Sequence, residues 1–339
     1  MKTNDSCDTP DWEAGYQASQ ETAALFDLSY RDELRLSGED RLVFLHGFCT
    51  NDINKLQPGQ GCEAFVSSIQ GKTLGHIFVF AKQDHLVIDT TPNASEILHP
   101  HLDRYVITED VTIEITPSQR QLFYLTGPDA VSILTKMDPR VADLGLNEHL
   151  QIEQSGNSLD CRKVDWFDQP GFQISVSCDA AEDICKLLIT QGATSAGRQA
   201  WEALRVQSGF PEFGIDFNSE NLAQEVDRDS TAISFTKGCY LGQEPIARID
   251  AIGHVNRLLR QVTILSAAIS PESLTRENSI SDGESIKSLG QITSAAILPP
   301  TMGQESKTVA IATIHRKIAE PKTTLVVKTE SAEYSAIVE

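Results

Sequence analysis

One stretch of this 339-residue chain is better equipped for chemistry than any other: Lys237-Gly238-Cys239-Tyr240-Leu241-Gly242-Gln243-Glu244, with Arg248 just beyond it. The thiolate is the reactive form of cysteine, and nearby positive charge favours it. Lys237 and Arg248 bring that charge. Gly238 and Gly242 carry no Cβ, so the backbone can turn sharply and let another molecule approach. Gln243 adds donors and an acceptor, and Glu244 a carboxylate acceptor. A structural cysteine buried in a glycine-bounded turn is the plain alternative, because free cysteine is among the most buried residue types. The density of polar and charged side chains around Cys239 weighs against a core segment.

Other motifs carry less. Gly71-Lys72-Thr73 has the end of a phosphate-binding loop, but that motif needs a glycine where Val66 stands, so a glycine-assisted hairpin turn is expected. Gly59-Gln60-Gly61 is followed by Ala64 in place of the third glycine of a dinucleotide fingerprint. His99 and His101 have no third ligand near them in sequence, and no metal site is expected. Cys239 has no histidine beside it in sequence except His254, and nucleophile–base pairs are spatial rather than sequential. Thr50-Asn51-Asp52 reads as an Asx turn or as the polar edge of a ligand site.

The elements that must position these residues fall into two textures. The motif L-[ST]-G-x-D-x-x-x-x-L occurs twice, from Leu36 to Leu45 and from Leu125 to Leu134. Each copy reads as a strand running into a helix, and the repeat implies two similar α+β lobes. Ile77 to Ala81, Leu86 to Ile88, Val111 to Ile115 and Gln173 to Ser177 read as strands. Pro92 to His101 is a helix or loop between them. Ala180 to Leu188 and Gln199 to Ser208 read as helices, the second stopped by Gly209 and Pro211. From about Leu258 helical periodicity gives way to short β runs between Gly, Pro, Ser and Asn clusters, the pattern of a small antiparallel barrel or sandwich. The expected division is a flexible N-terminal arm over 1–20, in which Trp12 and Tyr16 sit one helical turn apart, a first α+β lobe over 21–115, a second over 116–257 that holds the cysteine stretch, and a C-terminal β-barrel over 258–339.

Composition bounds the function. A net charge of −20 without a Lys/Arg run argues against direct nucleic-acid binding and attachment to anionic membranes. The N-terminus lacks the basic and apolar regions of a secretory signal, and no run of apolar residues is long enough to span a bilayer. Seven cysteines at scattered spacings fit a reducing cytoplasm rather than a disulfide framework.

The segment K-G-C-Y-x-G-Q-E-x-x-A-R resembles the signature of the folate-binding YgfZ family, relatives of the glycine-cleavage T protein (an aminomethyltransferase). The similarity extends from about Leu25 to the C-terminus and is weaker outside the signature. Further matching positions are Gly38-x-Asp40, Thr50-Asn51-Asp52, Gln70-Gly71-Lys72, Arg205, Glu225 ahead of Ile233-Ser234-Phe235, and Gly290-x-Ile292-Thr293-Ser294. The resemblance implies an α+β fold of two ferredoxin-like lobes forming a T-protein-like folate-binding domain, plus a small C-terminal antiparallel β-barrel. It implies tetrahydrofolate, or a one-carbon derivative, as cofactor. Its candidate ligands are Asn51, Asp52, Arg205, Glu225, Lys237, Tyr240, Gln243, Glu244 and Arg248, with Glu225 on the pterin edge and Arg205, Lys237 or Arg248 on the glutamate tail. Cys239 is the functional residue, free to hold iron, join a transient disulfide or accept a one-carbon unit.

One departure decides between branches of this superfamily. Aminomethyltransferases carry a catalytic aspartate just after the glycine-rich turn, where this chain has Gly75-His76, so no carboxylate is expected there. The YgfZ branch also lacks it, and its members support iron–sulfur cluster assembly or repair, including for a tRNA-modifying enzyme. The expected partners are therefore iron–sulfur enzymes or assembly proteins, and folate-dependent aminomethyl transfer to an amine is the alternative.

Overall fold

In the computed structural model, residues 11–116, 120–265, 269–285, 287–300 and 305–339 are described. Cys7 and the rest of residues 1–10 lie outside them. The chain forms two compact units, residues 1–31 with 116–205, and residues 32–115 with 206–339.

The first unit is built on a six-stranded sheet in the order Thr194–Ala196, Ala24–Asp27, Arg120–Thr126, Gly171–Ser177, Asn157–Lys163, His149–Gln154. Only the outermost pair, Ala24–Asp27 with Thr194–Ala196, is parallel. The helix Cys178–Thr190 turns Ala180, Ala181, Ile184 and Leu188 inward, and they join Leu125, Phe172 and Ile174 in one core cluster. This is the amphipathic face expected of that segment. The expected flexible arm is, from Trp12 onward, a helix to Glu21 capped by the Asp11 carboxylate. It packs because Gly15 leaves no Cβ: one built there would stand 2.8 Å from Ala196 Cβ.

The second unit contains a five-stranded antiparallel sheet, in the order Gly61–Ser67, Thr73–Ala81, His85–Thr90, Asp32–Ser37, Thr112–Ile115, and a closed six-stranded antiparallel barrel. The barrel strands are Arg257–Ile264, Lys307–His315, Gly290–Leu298, Ser279–Ser281, Thr324–Lys328 and Glu333–Val338, all in the segment where short β runs were expected. Its interior is aliphatic, with Val262, Ile280, Ile292, Ile314, Leu325 and Val338 buried. The Thr293-Ser294 motif sits at a bulge, where the register shifts between Ile292 and Ser294. The bulge turns both hydroxyls onto Asp216 Oδ1, at 2.7 and 2.6 Å.

The two strand-to-helix steps form as the repeat predicts. Asp32–Ser37 leads into the helix Arg41–His46, and Arg120–Thr126 into Ala130–Thr135. Each passes through a glycine of positive φ, Gly38 at 105° and Gly127 at 128°. A Cβ there would stand 2.0 Å from the Asp110 carbonyl oxygen and 2.6 Å from that of Thr22, so only glycine fits.

Division by compactness differs from the boundaries read from the sequence in two places. Residues 21–31 belong with the second-lobe sheet, because Ala24–Asp27 pairs with strands more than ninety positions downstream. Residues 206–257, with the cysteine stretch, belong with the first-lobe sheet and the barrel.

Candidate functional site

The cysteine loop is held by the turn that follows the helix Arg41–His46. Ser234 N–H donates to Thr50 O at 2.9 Å and Leu241 N–H to Gly47 O at 2.9 Å. Between these anchors the Lys237 ammonium donates to three carbonyl oxygens, those of His46 (2.7 Å), Cys49 (2.7 Å) and Asn51 (2.8 Å). It also lies 4.7 Å from the centroid of the Tyr240 ring. Cys239, halfway between the fixed points, is exposed. Two other thiols lie near, Cys49 on this turn and Cys62 on the strand Gly61–Ser67. Cys49 is buried, and burial pushes its thiol up to about 11, only partly opposed by Lys237; burial likewise raises Cys62.

A histidine does stand beside the loop. His46 Nε2 lies 3.6 Å from the point where a Cβ on Gly238 would be, and His46 Nδ1 lies 3.3 Å from Asp52 Oδ1, an ion pair only when the ring is protonated. Burial, then the charge of Lys237, lowers the His46 pKa, with Asp52 pulling the other way. The imidazole is therefore neutral, and able to accept a proton, over more of the pH range than an ordinary histidine. Nothing in the sequence around Cys239 announces this residue, 193 positions upstream by the numbering.

The two glycines of the signature do different work from that expected. Gly242, at φ 82°, accommodates the chain's own hairpin: a Cβ there would stand 2.1 Å from Ser68 O. Gly238 has ordinary space around it. Gly242→Ala is expected to cost about 2 kcal/mol or more, from the left-handed backbone and the clash together, whereas Gly238→Ala leaves stability nearly unchanged. Thermal melts of the two variants check this.

Several residues expected to hold a ligand have their polar atoms committed within the chain. Lys237 has three N–H groups and donates all three, leaving none for a carboxylate without breaking the clamp. Asn51 Nδ2 donates to Glu63 O (2.8 Å) and Thr231 O (2.9 Å), while its Oδ1 accepts from Asp52 N–H (2.8 Å). Asp52 pairs with Lys55 at 2.7 Å. Glu225 caps its own 3-10 turn, accepting from Leu222 N–H and Asn221 Nδ2 at 3.2 and 3.1 Å. Gln243 Oε1 accepts from Tyr240 N–H at 3.1 Å. Glu244 and Arg248 are exposed on the helix Gln243–Ile252. Arg205 belongs to the other unit, where it is 2% exposed and paired with Glu202 at 2.9 Å.

The position expected to lack a carboxylate has one, supplied by the adjacent strand. Phe65 pairs with His76 across the hairpin, and Glu63, two residues before Phe65, lies on the same face. Glu63 Oε1 is 2.6 Å from His76 Nε2, and the Arg228 guanidinium grips both carboxylate oxygens, Nη2 at 2.6 Å from Oε2 and Nε on Oε1. Glu63 and His76 are each 2% exposed. Phe65 stacks on the His76 ring at 5.0 Å, with Phe78, Phe210 and Phe217 around it. Burial alone would raise the Glu63 pKa, but the bonds from Arg228 and His76 outweigh it and hold the carboxyl at about 2. This is a locked ion cluster in an aromatic cage. The sequence signal for it is slight: one glutamate in the otherwise apolar run Cys62-Glu63-Ala64-Phe65-Val66.

Among the described residues there is no cluster of His, Cys, Asp and Glu arranged to hold a metal, and no helix long and apolar enough to cross a membrane.

Fold and sequence place the chain among known proteins. Residues 5–236 match the GCVT N-terminal domain family, and the chain belongs to that family. A protein of Arabidopsis thaliana carrying the name of a chloroplastic transferase is 29% identical over 73% of this chain and 57% of its own length. An aminomethyltransferase of Deinococcus deserti is 28% identical over 60% of this chain and 58% of its own. The chain thus spans under two thirds of either relative. An aminomethyltransferase of Chlorobium chlorochromatii aligns more fully, at 24% identity over 96% of this chain and 88% of its own. The crystal structure of the glycine cleavage system aminomethyltransferase T from Bartonella henselae superposes with a TM-score of 0.83 at 15% identity, over 96% of this chain and 88% of that one. That likeness establishes the fold: α+β lobes followed by a closed antiparallel barrel.

Proposed function

We propose that the protein is a cytoplasmic tetrahydrofolate-binding accessory factor for iron–sulfur cluster assembly or repair, with Cys239 as its working residue. The observation that carries the reading is an exposed thiol held on a braced loop, with a histidine alongside. Such a thiol is accessible to a cluster, a disulfide or an electrophile, and His46 stands beside the loop that carries it. Folate enters through membership of the T-protein family, whose members named aminomethyltransferase are the chain's relatives. When bound, folate would supply a one-carbon group; the part of this chain is to present the thiol.

Cys239→Ala is expected to abolish rescue of an iron–sulfur enzyme in cells while leaving the melting temperature unchanged. Retained rescue overturns the assignment. In the purified protein, saturating tetrahydrofolate is expected to slow alkylation of Cys239 and to leave that of exposed Cys178, in the other unit, as it was; mass spectrometry reads both. Equal rates with and without folate would separate the thiol from any folate site.

The names of the relatives favour a second reading, folate-dependent aminomethyl transfer to an amine. Against it stands position 76, where the imidazole Nε2 faces the arginine-clamped Glu63 in place of a carboxylate open to substrate. Turnover of candidate amines with tetrahydrofolate decides between the two.

A further inference from the structure

Two acceptors of the second unit lack what buried acceptors normally have. Gln224 is 4% exposed, and its Nε2 donates to Ile246 O at 3.0 Å, yet its Oε1 has no hydrogen-bond partner. Asp229 Oδ1 is sealed from solvent and has none either. Both residues border one cleft of about 500 Å³. They sit on neighbouring elements, since the 3-10 turn Ala223–Val226 packs against the helix Asp229–Ala232. Buried acceptors are almost always paired, so this corner is short of a donor. Its sealed oxygens admit no ligand. A proton bound to Asp229 itself needs no room, and it turns an acceptor into a donor.

The charges around Asp229 favour that proton. The two that act on it are both carboxylates, Asp227 on the turn before the helix and Asp250 on the helix Gln243–Ile252. Its chain neighbour Arg228 is turned onto Glu63, and Arg260 onto Asp227. His254, Arg316, Lys317 and Glu320 line the same cleft, and none of them pairs with Asp229 among the described residues. Burial first, then Asp227 and Asp250, raises the Asp229 pKa to about 6, against about 3.9 for an unperturbed aspartate.

The helix that carries Asp229 is also a strut of the cysteine loop. Thr50 Oγ1 donates to Ala232 O at 2.6 Å, and Asn51 Nδ2 to Thr231 O at 2.9 Å. Thr50 O in turn accepts from Ser234 N–H, the first anchor of the loop. We propose that Asp229 is a proton-operated latch on this loop: protonated, its hydroxyl serves Gln224 Oε1 and holds the helix Asp229–Ala232 in place; ionised, it is left among carboxylates, the helix loosens and Cys239 becomes more reactive. The proton leaves to water in the cleft that Asp229 borders. The latch regulates the thiol of the proposed function and rests on that reading for its purpose alone.

In the intact protein, the side-chain carboxyl resonance of Asp229, assigned by its loss in Asp229→Asn, is expected to titrate at about pH 6. Gln224→Met, which removes the acceptor, and Asp250→Asn, which removes a repelling charge, should each lower that midpoint. A group whose pKa is raised on folding gives stability that is present below its unfolded value and lost as pH rises through the folded one. The melting temperature of wild type should therefore fall by about 2 °C relative to the near-isosteric Asp229→Asn between about pH 5 and pH 7.5. Over that range the ratio of wild-type to Asp229→Asn alkylation rates at Cys239 should rise about twofold or more, since the titration of the thiol itself cancels in the ratio. A midpoint at or below about pH 4, a melting difference that is constant with pH, or an alkylation ratio that stays flat each overturns the latch. Retained rescue by Cys239→Ala would instead overturn the functional reading and leave these three readouts standing.

Discussion

Arg228→Met is expected to lower the free energy of unfolding by about 3–5 kcal/mol, the cost of leaving a buried charge without its partner. Arg228 is the main counter-charge of Glu63, which is 2% exposed and bonded to His76, whose ring is surrounded by phenylalanines. The double variant Glu63→Leu/Arg228→Met should recover part of the loss, because an apolar pair needs no compensating charge. Urea midpoints of the three proteins read the difference; a single variant within about 1 kcal/mol of wild type would show that the cluster carries little of the stability. The same cluster sets an acid limit. The Glu63 carboxyl sits at about 2 in the folded chain, against about 4.3 for an unperturbed glutamate. A group depressed on folding stabilises fully above its unfolded pKa and loses that contribution as pH falls through the folded one. Wild-type stability should therefore decline between about pH 4.3 and pH 2, and Arg228→Met should flatten that decline, since its Glu63 is no longer held down.

The parts of this fold that were legible in the sequence are those set by local rules. A glycine before an aspartate at the end of a strand predicts a positive-φ turn into a helix, and Gly38 and Gly127 provide it. Short β-branched runs between turn residues predict the barrel, and its strands fall there. What local rules do not carry is the identity of distant partners. Lys237 reads as a free cation near a thiol; its acceptors are carbonyls 186 to 191 positions upstream. Gly75-His76 reads as a site without a carboxylate; strand pairing brings Glu63 to it, and a segment 165 positions on brings Arg228. Gly242 reads as room for a ligand; the room is taken by the Ser68 carbonyl. In each case the residue type was informative and its partner came from tertiary structure, so functional and structural roles exchanged places.

Lys237→Met should test that exchange most directly. The substitution keeps an unbranched side chain of similar length and removes every donor, leaving the carbonyls of His46, Cys49 and Asn51 without the ammonium. At about 1 kcal/mol or more for each acceptor left unsatisfied, the variant is expected to lose about 3 kcal/mol. A lysine that served mainly to bind an anion or to charge the thiol would cost the fold almost nothing when removed. The two roles also part in their effect on Cys239. If the ammonium acts chiefly as a clamp, its loss frees the loop between Ser234 and Leu241, and alkylation of Cys239 at pH 7 accelerates. If it acts chiefly by favouring thiolate, alkylation slows. The geometry, with all three protons donated to the backbone of one turn, predicts acceleration together with a lowered melting temperature. Slower alkylation at an unchanged melting temperature would return Lys237 to the thiolate-favouring role that its sequence neighbourhood suggests.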